Sequence, residues 1–121
     1  MSKLFVSGDI AYRGRVGESI DGRGVLVLSE KISQAIRDAE FAMANLESPV
    51  GSKSQFISKS GPSICCPEKL VSAIKAAGFS GVTLANNHFF DCGQSGVVQT
   101  IEACKKNGLA YYGGGVRIAS G

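Results

Sequence analysis

Four short apolar runs punctuate the chain, at Lys3 to Ser7 (KLFVS), Phe41 to Leu46 (FAMANL), Gly81 to Ala85 (GVTLA) and Leu109 to Tyr112 (LAYY), and helical patterns fill much of the space between them. Strand-length apolar runs that alternate with helix-length stripes commit a chain to an α/β fold, a layered parallel sheet with flanking helices and right-handed crossovers. Ser29 is placed to cap a helix running through about Ala42, with Ile32, Ala35, Ile36 and Ala39 along one side. Pro67 suits the first turn of a second helix, which runs through Ala77 and stops at Gly78 with Leu70, Val71 and Ile74 facing inward. A third helix spans Gln94 to Asn107 and ends at Gly108. The stretch Tyr12 to Gly24, rich in glycine and charge, reads as an exposed loop, and Gly51 to Pro62 as a long polar surface loop.

A parallel sheet fixes in advance where chemistry belongs, because ligands bind beyond the carboxyl ends of its strands. Three clusters fall at such exits: Asp9 after the first run, Glu47 after the second, and Asn86 to Asp91 after the third. His88 is the only histidine of the chain. An Asn-Asn-His-x-x-Asp sequence joins neutral oxygen donors, an imidazole and a carboxylate within its reach, a set suited to metal-assisted hydrolysis. Tyr111-Tyr112-Gly113-Gly114-Gly115 either ends the last strand or turns near the site.

Composition removes several function classes. The 121 residues make one domain or part of one, with 44% hydrophobic and 19% charged residues, and no run reaches the roughly 20 apolar residues of a membrane span. A net charge of +3 from 13 basic and 10 acidic residues, without a block of like charge, does not indicate nucleic-acid binding. Cys65 and Cys66 are adjacent and Cys92 and Cys104 stand apart, so the four cysteines read as structural free thiols in a reducing compartment. The first residues lack the parts of a secretory signal, which makes the chain cytoplasmic as written, or envelope-associated if a leader or anchor was removed. An exposed sheet edge would favour a homodimer that covers it.

The motifs also have a family likeness. GDI at Gly8 to Ile10, NLESP at Asn45 to Pro49, GF-x2-V-x-LANNH from Gly78 to His88, D-x-G at Asp91 to Gly93 and the distal YYGGG together resemble the bacterial capsule synthesis protein family, the group named for poly-gamma-glutamate capsule production. That family is similar to the calcineurin-like metallophosphoesterases, whose two-metal site lies on a sheet sandwich with flanking helices. The resemblance implies a partial metallophosphoesterase-like domain over residues 1–121, the N-terminal part of a longer one. It implies Asp9 as a ligand to one metal, Glu47 at the position of a bridging aspartate, and Asn87 and His88 as the Asn-His pair. In that pair the asparagine is a metal ligand and the histidine touches the substrate phosphate or leaving oxygen.

Asp91 has no strict counterpart in the phosphoesterase pattern and is assigned here as the group that orients the His88 imidazole, with Asn86 and Arg13 as substrate contacts. Ala11 stands where the pattern Asp-x-His would supply a histidine, and none follows His88, so a complete two-metal site cannot come from these residues alone. Oxygen donors favour Mn or Mg, and imidazoles from other segments would shift the preference toward Fe or Zn. Three functions follow as expectations: a metal-dependent phosphoesterase-like hydrolase acting on a small-molecule or polymer substrate, a non-catalytic accessory module, or an inert fragment. The accessory module would bind an anionic polymer such as poly-gamma-glutamate through Arg13, Arg15 and Arg23.

Overall fold

A computed structural model describes residues 3–59 and 61–113. Strand β1 (Leu4–Ile10) is followed by helices α1 (Gly14–Arg23) and α2 (Glu30–Asp38), strand β2 (Phe41–Leu46), a short 3-10 turn at Lys53–Gln55, helix α3 (Glu68–Ala76), strand β3 (Gly81–Thr83), helix α4 (Gly93–Lys106) and strand β4 (Ala110–Tyr112). The strands form one four-stranded parallel sheet in the order β1-β2-β3-β4. The α/β class read from the apolar runs is therefore correct. Gly114 and Gly115 lie outside the described residues.

The alternation in FAMANL explains which face is covered. Ala42, Ala44 and Leu46 are buried while the residues between them are half-buried, as a strand's period of two requires. They join one cluster with Val82, Leu84 and Tyr111 from the sheet side and Ile20, Ile36, Leu70, Ile74 and Cys104 from the helices. Leu70, Val71 and Ile74 are buried as the stripe on α3 predicts. On the opposite face Leu4, Val6 and Tyr112 remain 69%, 65% and 43% exposed.

Two expectations need correction. Tyr12 to Gly24 is not a loop: Gly14–Arg23 is helical, with Ile20 buried, and the helix stops at Gly24 in the left-handed region (φ 68°), its N–H donating to the Ile20 carbonyl. Its glycines lower intrinsic propensity, but Val16 and Ile20 lie one turn apart and their burial outweighs that cost. The second helix ends at Asp38, not near Ala42, because Ala39 is extended and residues from Phe41 join the sheet. Its start is as expected, with Ser29 Oγ accepting the Ile32 N–H at 3.2 Å. Ile36 is buried there, whereas Ile32 is 42% exposed.

One irregularity positions the site. Val6 pairs with Met43 and Asp9 with Asn45, so β1 spends one more residue than β2 across Ser7 and Gly8. An extra residue in a strand reverses the facing of everything after it. Asp9 thereby shares a face with Leu4, Val6 and Asn45 instead of pointing into the helical layer.

Candidate functional site

Pairing across the sheet sets Asp9, Asn45 and Thr83 side by side on β1, β2 and β3. Their side chains form a polar row at the carboxyl ends of these strands. Asn45 Nδ2 donates to Asp9 Oδ1 at 2.7 Å, and the Thr83 hydroxyl donates to Asn45 Oδ1 at 2.9 Å. Asn86 Nδ2 reaches the same oxygen at 3.3 Å and the Leu46 carbonyl at 2.9 Å, while its own Oδ1 accepts the His88 N–H at 3.0 Å. Both ends of the Asn86 amide are thus engaged inside the protein, fixing the turn that carries His88. The Asn45 amide, and beside it the Glu47 carboxyl, hold the Asp9 carboxyl below its ordinary range.

Glu47 leaves β2 with its N–H on the Ile10 carbonyl at 2.9 Å, which ties the ends of β1 and β2 together. Its Oε1 accepts Arg13 Nη2 at 3.2 Å and lies 3.7 Å from His88 Nε2. The Arg13 side chain is 61% exposed, so that ion pair contributes little to stability and leaves the guanidinium accessible.

The other imidazole nitrogen is held more firmly. His88 Nδ1 lies 2.7 Å from Asp91 Oδ2, and the Asp91 side chain is only 1% exposed. Asp91 also accepts Lys59 Nζ at 2.6 Å and the Ile64 N–H at 2.8 Å. Burial raises the Asp91 carboxyl, but Lys59, the Ile64 N–H and His88 together outweigh burial and hold it below its ordinary range. A carboxylate accepts only, so Nδ1 carries a proton in this network while Nε2 faces the Glu47 carboxyl. The arrangement can pass a proton to or from an oxygen placed at Nε2.

Of the residues singled out from the sequence, Asp9, Glu47, His88, Asp91 and Arg13 come together, while Asn87 lies exposed beside them. Asn45 and Lys59 had no role assigned from sequence. A polar residue in the apolar run FAMANL was a signal for the first; nothing local marked the second. Two adjoining carboxyls and an imidazole fit a divalent cation in kind. They do not fit in number, since among the described residues no three His, Cys, Asp or Glu side chains are grouped to hold an ion. A cleft of about 710 Å³ opens against β1, but it includes only Asp9 of this cluster, and its walls are largely apolar, from Phe5, Val16, Leu26 and Phe79.

The four cysteines are free, and burial pushes the Cys92 thiol up to about 11 and the Cys104 thiol to about 12. Thiols so raised are poor metal ligands and poor nucleophiles at neutral pH. They pack; they do not join the site. No described helix is long and apolar enough to cross a membrane.

Comparison with known proteins identifies the family. Residues 3–120 match the family described as "Bacterial capsule synthesis protein PGA_cap". The chain is 32% identical over 111 residues to "Capsule biosynthesis protein CapA" of Bacillus anthracis, an alignment that covers 89% of this chain and 27% of that protein. It spans about a quarter of the length of the curated relative it matches. With the match running through every motif from Gly8-Asp9 to Tyr111-Tyr112, this chain belongs to the bacterial capsule synthesis protein family.

Proposed function

We propose that the chain carries part of a metal-dependent phosphoester-hydrolase site serving capsule synthesis. The observation that supports this most is the line Asp91, His88, Glu47, in which one imidazole nitrogen is fixed by a buried carboxylate and the other faces an acidic pair. Asp9 and Glu47, with Asn87 next to His88 in the chain, would hold a divalent ion of the Mn, Mg, Fe or Zn kind once further donors join them. An ion held there would supply Lewis-acid activation of water or of a phosphoryl oxygen. The chain's own residues do the rest. Arg13 draws an anionic group toward Glu47. His88 Nε2, kept in one tautomer by Asp91, exchanges a proton with the departing oxygen, a contribution usually of about 10²–10⁴-fold in rate.

Hydrolysis of bis(4-nitrophenyl) phosphate with added manganese tests the reading. Turnover should vanish in Asp9→Ala and fall about 100- to 10,000-fold in His88→Asn, with manganese affinity little changed in the latter. Equal rates for His88→Asn and the parent protein would remove histidine from the reaction.

A second reading has its own support. Arg13, Arg15 and Arg23 all remain exposed on or beside α1, which suits an accessory module that binds an anionic polymer such as poly-gamma-glutamate without turning it over. Absence of turnover, combined with polymer binding that weakens in Arg13→Ala and falls with added salt, would favour it.

A further inference from the structure

The segment between β2 and α3 looks like an ordinary surface connection, yet it closes back onto one residue of the site at three points. Ile57 N–H donates to the Asp91 carbonyl at 2.9 Å, Ile64 N–H to Asp91 Oδ2 at 2.8 Å, and Lys59 Nζ to Asp91 Oδ1 at 2.6 Å. Burying a carboxylate to 1% exposure is costly unless a cation neutralises it. Of the groups among the described residues that touch Asp91, Lys59 alone brings a permanent charge. The imidazole need not supply it.

We propose that Lys59 is a positioning residue for His88, acting through Asp91. It compensates the buried carboxylate, so the carboxylate oxygen facing His88 stays a pure acceptor and holds the ring as a donor at Nδ1, with Nε2 directed at Glu47. The two oxygens of Asp91 divide the work: Oδ1 takes the ammonium, while Oδ2 takes the backbone of the same segment and the imidazole. Ile57, Lys59 and Ile64 are thereby part of the site's architecture. The contact geometry stands by itself, and only its consequence for rate rests on the hydrolase reading above.

Because His88 is the sole histidine, its two ring nitrogens give the only imidazole signals in a ¹⁵N NMR spectrum. In the parent protein Nδ1 is expected to resonate as a protonated nitrogen and Nε2 as an unprotonated one. Lys59→Met should move both toward the averaged position of a ring exchanging between tautomers, and Lys59→Arg should restore the parent pattern. An unchanged pattern in a folded Lys59→Met protein overturns the proposal. Should Lys59→Met not fold, the parent protein supplies a second measure: the Lys59 ammonium protons should exchange with water at least ten times more slowly than those of exposed lysines, and equal exchange overturns it. Where turnover is measurable, Lys59→Met should lower kcat roughly 10–100-fold with KM little changed. A protein that cleaves nothing but shows the nitrogen shifts defeats the hydrolase reading and leaves Lys59 in its role.

Discussion

Phe89→Ala is expected to destabilise the protein by about 3–5 kcal/mol, the usual cost of emptying a buried aromatic site. Phe89 is 1% exposed and belongs to the core cluster, although it sits in the turn that follows His88. Its ring also meets Phe90 edge-on at 5.1 Å between centroids. Because small domains are stable by only about 5–15 kcal/mol, the variant should melt far below its parent. Phe90→Ala is the control: that side chain is 48% exposed, and its loss should cost under about 1 kcal/mol. Urea titration of the two variants decides the matter, and similar midpoints would show that Phe89 is not the anchor of the turn.

The second large effect belongs to Asp91→Ala. Removing it strands the Ile64 N–H and the half-buried Lys59 ammonium, and releases Nδ1 of His88. Breaking one partner of a buried ion pair costs about 3–5 kcal/mol, which for a domain of this size lowers Tm by roughly 10–20 °C. The pH dependence has a definite sign. Because the Asp91 carboxyl is held below its ordinary value of 3.8, its contribution is complete above that value and is lost as pH falls through the lower folded one. The stability gap between the parent and Asp91→Asn should therefore be flat from pH 8 to about pH 5 and narrow only below about pH 4. Thermal melts across that range check it; a gap that closes near neutrality would assign the effect to another group.

These residues also mark how far the sequence could be read. β2 spans the very residues Phe41–Leu46 that its apolar run indicated, and α3 and α4 begin and end within a residue or two of their proline and glycine signals. The carboxyl ends of the strands could be placed closely enough that Asp9, Glu47 and His88 were found, although β1 runs on past its apolar run to Ile10 and carries Asp9 within it. Asn45 needed pairing between strands to be seen beside Asp9, and register is not written in either strand alone. Lys59 lies 32 positions from Asp91, in a polar stretch where one lysine resembles the next. Helix α1 was missed because Gly14, Gly17 and Gly22 hide a pattern that only the burial of Ile20 makes worthwhile.

The extra residue in β1 behaves like a frame in a message. Everything downstream of Ser7 and Gly8 is read in the phase that this one position sets, so one further residue inserted there would turn Asp9 into the helical layer beside Leu46, whereas removing one straightens the strand and leaves Asp9 beside Asn45. Substitutions at Gly8 meet open space and should pass. A one-residue insertion there should not, because it changes the face on which Asp9 is presented.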